Sequence, residues 1–324
     1  MTSSAAPSPA PSSRPALCCP RCKSPLAAGA PDAAGCPKCG TRIQVTDAAV
    51  AYDYLALLRA AFPRRYRLYK VLCNNGAVSY VELAAGSLSL PERKDVAEFG
   101  AFLGRFVRAG DAVLDIGCGP LPTPGYLQAL RAAGARLMGL DVNPTEFQGF
   151  RITGCAEFLP LPEASVDVVV FATSLDHVCD LDATMREVRR VLPAGGRCCI
   201  WMSDRQPYWK QFFLRDRTLT GVLRRVCIDL PKQVAVNIRD GRRLFYGVLH
   251  YFTRGRYWDY ENGSTFYCPP GAVDPFHSFF ESPAEVSALA AEHGLTLVAR
   301  ETGSNGVFLA LQRGAEGVNA GRAR

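Results

Sequence analysis

The sequence predicts an α/β protein: a doubly wound, largely parallel sheet preceded by a small cysteine-rich module. Three observations carry this expectation. From Asp111 onward, apolar runs alternate with amphipathic helical segments. The first of those runs ends in a turn with two glycines, Val113-Leu114-Asp115-Ile116-Gly117-Cys118-Gly119-Pro120. Two CxxC pairs, at 19–22 and 36–39, stand ahead of the alternating region.

Residues 1–16 are Ala, Ser and Pro with one Arg and are expected to be a disordered tail, as are residues 314–324. They contain no apolar stretch of the kind a secretory signal needs, and no run reaches the roughly 18 apolar residues of a membrane span. The thirteen cysteines are therefore read as reduced thiols and metal ligands of a cytoplasmic protein with no membrane partner. Hydrophobic content of 48% and charged content of 21% suit an ordinary globular chain, and 324 residues leave room for one large domain and a small module.

Residues 17–50 have few large apolar side chains and need something other than a core to hold them. Cys19-Pro20-Arg21-Cys22 and Cys36-Pro37-Lys38-Cys39 form two knuckles thirteen residues apart, which suits four thiolates around a structural Zn²⁺. Cys18 is an alternative to Cys19, although Cys-Pro-x-Cys matches the second knuckle better. Residues 51–110 are expected to be a helical extension, with apolar spacing at Tyr54-Leu55-Leu57-Leu58 and again from Val96 to Val107. Ser89, with Glu92 three residues on and Pro91 in the first turn, is the expected cap of the second helix.

Within residues 111–203, strands are expected at Ala112–Ile116, Arg136–Leu140, Val166–Phe171 and Arg197–Met202. Helices are expected at Gly125–Ala133 and Leu181–Leu192, the latter stopped by Pro193 and Gly195-Gly196. Leu295–Arg300 and Gly306–Gln312 form a final strand pair in the segment 284–313. Between them, residues 204–283 interrupt the alternation as an inserted substrate cap. Residues 201–260 hold twelve Lys/Arg against five Asp, an excess equal to the whole chain's +7, interleaved with aromatics from Trp201 to Tyr260. Such a mixture suits an RNA backbone with stacked bases, an anionic small molecule held by arginine, or a cap with apolar core and solvated charge.

The two-glycine turn lets backbone approach a ligand closely. About twenty residues on, Asp141 ends a second strand, where a carboxylate can accept two hydrogen bonds from a ribose diol. The loop GCGPLP lacks the third glycine of a dinucleotide fingerprint, and no Gly-Lys-Ser/Thr P-loop is present.

The ordered series VLDIGCGP, GLDVNP, GCAEFLPLPEASVDVVVFATSLDHV and MREVRRVLPAGGRCCIW resembles the class I S-adenosylmethionine (SAM)-dependent methyltransferases, in particular the quinone C-methyltransferase branch, over roughly residues 93–203. That resemblance implies a Rossmann-like, mostly parallel seven-stranded sheet with helices on both faces. It implies that Asp115, Gly117 and Gly119, with Cys118 between them, hold the methionine part of SAM. Asp141, with Val142, would take the ribose, Cys155 and Ala156 would lie beside adenine, and Ser174 would line the methionine side. Leu121 stands where a third glycine is common, and Cys155 where an acidic residue is common; Glu157 is the alternative acceptor. The segment 17–50 resembles the Trm112-like zinc ribbons, which implies a structural staple or an RNA-recognition element.

Two histidines are candidates for a general base. His177 follows the fourth strand in Ser174-Leu175-Asp176-His177, and His277 lies in Asp274-Pro275-Phe276-His277 near the return into the sheet. The competing role for each is loop ordering; Asp176 is a weaker candidate base, and His250 and His293 are read as structural. Cys73, Cys118, Cys179, Cys198, Cys199, Cys227 and Cys268 lack ligand spacing and are read as small buried residues. Three functions are weighed: a small-molecule methyltransferase, an RNA methyltransferase, and a non-catalytic zinc-ribbon protein. The absence of an Asn-Pro-Pro-Tyr or catalytic-cysteine signature favours the first over the second, and the intact Asp115, Gly117, Gly119 and Asp141 weigh against the third. The oligomeric state is left open.

Overall fold

The protein is described by a computed structural model over residues 14–26, 35–67, 69, 70, 90–202, 227, 256–259, 264–267 and 282–315. A nine-stranded sheet dominates. In chain order its strands are β1 (Ile43–Val45), β2 (Ala49–Tyr52), β3 (Ala112–Ile116), β4 (Arg136–Asp141), β5 (Phe150–Thr153), β6 (Val168–Ala172), β7 (Arg197–Met202), β10 (Leu295–Gly303) and β11 (Gly306–Arg313). Strands β8 (Arg256–Asp259) and β9 (Ser264–Tyr267) pair separately as an antiparallel hairpin. The helices are α1 (Tyr54–Ala61), α2 (Lys94–Leu103), α3 (Gly125–Ala132), α4 (Leu181–Val191) and α5 (Pro283–Glu292).

The sheet order is β1-β2-β5-β4-β3-β6-β7-β11-β10. Strands β2, β5, β4, β3, β6 and β7 run parallel; β11 runs antiparallel between β7 and β10, so β10 again points the same way as the parallel strands. Chain order reverses at β3, so the C-terminal ends of β3, β4 and β6 meet at the switch point where ligands of such sheets bind. β3 is buried at all five positions, as a central parallel strand covered on both faces must be. Phe99 and Phe102 of α2, Tyr126 of α3, Trp201 and Phe308 form an aromatic layer on one face, and α4 and α5 pack on the other through Met185, Val188, Val286 and Ala290.

Seven of the nine strands are those implied by the family resemblance. The other two, β1 and β2, come from the cysteine module, because β2 pairs parallel with β5 through Ala49, Val50 and Ala51 against Arg151, Ile152 and Thr153. Strand β2 thus crosses the boundary drawn after Val50. The expected cap of α2 is corrected: the helix begins at Lys94 after Arg93, so Ser89, outside the described residues, and Pro91 lie ahead of its first turn. Asp95 covers this end instead, accepting from the Val96 N–H at 3.0 Å and from the Arg93 guanidinium at 3.1 and 2.6 Å. α5 carries a full capping box, Ser282 with Glu285, and Pro283 in its first turn.

The basic and aromatic insertion, His250, His277, Cys73 and Cys268 lie outside the described residues, apart from the backbone of the β8–β9 hairpin and an exposed Cys227. Cys227 departs from its expected burial, while Cys118, Cys179, Cys198 and Cys199 are buried. Among the described residues, no helix is long and apolar enough to cross a membrane.

Candidate cofactor pocket and four-cysteine centre

The carboxyl edge of the central strands gathers most of the residues singled out by sequence. Asp115 is the fourth residue of β3, Asp141 the last of β4, Cys155 follows β5 and Ser174 follows β6. Gly117 and Gly119 have φ of 77° and 74°, the left-handed region that glycine enters without cost. A Cβ on Gly117 would lie 2.5 Å from the Ser174 Cβ, so this turn accepts no larger residue. The Ser174 hydroxyl bonds the Ile116 carbonyl, and the Gly117 and Cys118 N–H groups donate to the Leu140 carbonyl at 2.7 and 3.2 Å. Three strand ends are tied into one rigid floor.

Two carboxylates sit in that floor. Asp141 accepts from the N–H of Gly119 at 3.2 Å through one oxygen and from the N–H of Asn143 at 2.9 Å through the other. A carboxylate offers about four acceptor sites, the chemistry that suits a diol. Asp115 is fully buried: its Oδ2 accepts from the Tyr126 hydroxyl at 2.8 Å, and its Oδ1 has no partner among the described residues. Burial, opposed by the Tyr126 bond and reinforced by the nearby Asp141 charge, pushes Asp115 up to about 7. A buried acceptor lacking a partner beneath a glycine turn suits a cationic or N–H-bearing ligand group.

Glu157 is buried; its Oε1 accepts the N–H groups of Cys179 and Asp180 at 2.6 and 3.0 Å, anchoring the approach to α4, while its Oε2 has no hydrogen-bond partner among the described residues. Cys155 and Ala156 are buried beside it. His177 lies in a short 3₁₀ turn after β6, 45% exposed in its side chain, with Nε2 3.7 Å from Asp176 Oδ1. His293 bonds Asp182 at 2.8 Å, linking the end of α5 to α4. Sequence reading missed Tyr126, Tyr52 and Tyr54. The Tyr52 hydroxyl accepts from the Cys155 N–H at 3.0 Å, and the Tyr54 hydroxyl donates to the Val142 carbonyl at 3.2 Å. Their partners are about 90 to 100 residues away, and no local pattern announces them.

The four cysteines converge. The Sγ atoms of Cys19, Cys22, Cys36 and Cys39 all lie within 4.8 Å of one another, with Cys19–Cys39 and Cys22–Cys36 at 3.5 Å. Tetrahedral thiolates at Zn–S distances of about 2.3 Å stand about 3.8 Å apart, so the donor set fits zinc. The knuckles repeat each other in detail. The Cys19 and Cys36 N–H groups bond the carbonyls of Ser24 and Thr41, and Lys23 and Gly40 return N–H bonds to Cys19 and Cys36. Lys23 and Gly40 share positive φ, 59° and 69°. The Ser24 and Thr41 hydroxyls lie 3.2 and 3.1 Å from the Cys22 and Cys39 sulfurs and lower both thiols, Cys22 to about 6. Cys18 is outside the cluster; its N–H donates to the Pro160 carbonyl and its side chain is buried.

A half-buried ionic network around buried Glu187 joins this module to the sheet domain. Lys23 Nζ donates to Glu187 Oε2 at 2.6 Å and to the Leu159 carbonyl at 3.2 Å. Glu187 also accepts from the Leu159 N–H and from Arg190, whose guanidinium reaches the Leu161 carbonyl.

Comparison with known proteins bears on the pocket. Residues 114–200 match the methyltransferase-domain family model. Over 108 residues the chain is 32% identical to the ubiquinone/menaquinone biosynthesis C-methyltransferase UbiE of Hahella chejuensis, covering 29% of this chain and 43% of that one. Over 105 residues it is 30% identical to a demethylmenaquinone methyltransferase of Tropheryma whipplei, covering 29% and 42%. The chain therefore spans less than half the length of these curated relatives. A Burkholderia thailandensis 1,6-didemethyltoxoflavin-N1-methyltransferase structure is similar over 88% of this chain and 100% of that one, at 12% identity and a TM-score of 0.46.

Proposed function

We propose that this chain is a SAM-dependent methyltransferase acting on a small molecule. The observation that carries the reading is the unpartnered Oδ1 of buried Asp115 beneath the Gly117–Gly119 turn, inside the segment that matches the methyltransferase domain. When bound, SAM supplies a methyl group on a positively charged sulfur. Asp115 accepts hydrogen bonds from the methionine end, and that cationic end returns its carboxyl toward the ionised form. The turn at Gly117, Cys118 and Gly119 lets the ligand lie on backbone, with Ser174 on the methionine side. Asp141 and Val142 take the ribose, and Cys155 and Ala156 flank the adenine. A Zn²⁺ ion held by Cys19, Cys22, Cys36 and Cys39 supplies folding free energy to a segment with little core of its own.

Methyl transfer is an in-line displacement, so the chain's main contribution is alignment. When the acceptor is a hydroxyl, a base must take its proton, and His177 with Asp176 beside it is the candidate at this edge of the sheet. His277 is the second candidate, on the inserted segment. The small-molecule reading is supported by the relatives that share the domain, whose names are those of quinone-pathway methyltransferases. The test is transfer of labelled methyl from SAM by the zinc-replete chain to a panel of hydroquinones and other small acceptors, with total RNA in parallel. Label in the small-molecule fraction is the expected result; label in RNA alone would overturn it.

A further inference from the structure

Tyr52 ends β2 and Tyr54 opens α1, so the chain leaves the cysteine module at the same sheet edge that carries the pocket. The connection is short: Gly35 and Arg42 form a bridge across the second knuckle, and β1 begins at the next residue, Ile43. β1 pairs with β2, and β2 lies against β5 with Ala51 opposite Thr153, which brings Tyr52 alongside Gly154. The contact is close. A Cβ on Gly154 would lie 2.4 Å from the Tyr52 ring and hydroxyl, so the ring rests on bare backbone.

From that seat the Tyr52 hydroxyl accepts from the Cys155 N–H at 3.0 Å and donates to the Phe158 carbonyl at 2.6 Å, with the Cys155 carbonyl at 3.1 Å. Tyr52 and Cys155 are buried, so solvent is poorly placed to replace the hydroxyl at the Cys155 N–H. The Tyr54 hydroxyl donates to the carbonyl of Val142, directly after Asp141. Two backbone segments assigned to adenine and ribose are therefore held by side chains that belong to the exit of the metal module.

We propose that the cysteine module is a working wall of the cofactor pocket, with Tyr52 and Tyr54 as positioning residues that make SAM affinity depend on the metal-ordered state of the knuckles. This rests on the SAM reading above. The order of events is physical: metal fixes the second knuckle, the knuckle fixes β1 and β2, and β2 delivers Tyr52 to the Cys155 turn. Neither tyrosine touches the reacting atoms.

The test uses the zinc-replete full chain and S-adenosylhomocysteine (SAH) as probe, for wild type, Tyr52→Phe and Tyr54→Phe. Calorimetric affinity is read beside zinc content and amide exchange of residues 154–158 without ligand. Tyr52→Phe should keep its zinc, exchange faster at Cys155 and bind SAH about tenfold more weakly, the equivalent of one buried hydrogen bond. Tyr54→Phe, at a half-buried site, should show a smaller loss of the same sign. Chelating zinc from the wild type should weaken SAH binding, and restoring zinc should recover it. Wild-type binding matched within twofold by Tyr52→Phe, with unchanged exchange, overturns this proposal alone. No SAH binding by the wild type overturns the cofactor reading and the proposal with it.

Discussion

Asp115 is the residue where pocket and stability are most directly linked. A carboxyl held near 7 in the folded chain, against 3.8 as its ordinary value, favours folding while protonated and loses that advantage as pH rises between those values. Asp115→Asn removes the charge while keeping an acceptor for the Tyr126 hydroxyl. In ligand-free protein, the variant's stability relative to wild type should therefore rise from about pH 4 to about pH 7, by at most about 1.4 kcal/mol per pH unit, then level off. Thermal unfolding across that range checks it; a gap independent of pH would mean that Asp115 is not the buried titrating group described. The same variant should bind SAM more weakly, since the acidic partner of the methionine end is gone. Asp115, Gly117 and Asp141 were legible in the sequence because a tight turn and a strand-end carboxylate are local demands. Tyr126, Tyr52 and Tyr54 were not, because an aromatic at helical or strand spacing reads as core until its hydrogen-bond partner is known, and for Tyr52 and Tyr54 that partner is about 90 to 100 residues away.

At the scale of elements, the junction of the cysteine module with α4 carries its own prediction. Glu187 gathers Lys23, Arg190 and the Leu159 N–H into one half-buried network. Glu187→Ala leaves two partly exposed cations without their carboxylate and should cost about 1.5–3 kcal/mol in denaturant unfolding. A loss under about 1 kcal/mol would place the pair with ordinary exposed ion pairs. Cys36→Ser should reduce bound zinc to near zero by elemental analysis and lower the melting temperature, because zinc binding and folding of the module are one process. Retained zinc at full stoichiometry would contradict the four-cysteine assignment. Long strands and helices of the sheet domain were legible from apolar runs and their stop signals. β5 was not, since four residues between Gly149 and Gly154 are too few to establish a period. The entry of β2 into the main sheet was also hidden: parallel pairing across about 100 residues leaves no local mark.

For the molecule as a whole, the sheet continues from the cysteine module into the sheet domain, and the candidate site lies at the carboxyl edge of its central strands. Affinity for the methyl donor is the property on which every other assignment depends. Calorimetric titration of the zinc-replete chain with SAH, beside Asp141→Ala, tests it most directly. Micromolar binding by the wild type and a loss of about tenfold or more in the variant are expected when a charged acceptor for a ribose diol is removed. No binding by the wild type, or equal binding by Asp141→Ala, would contradict it.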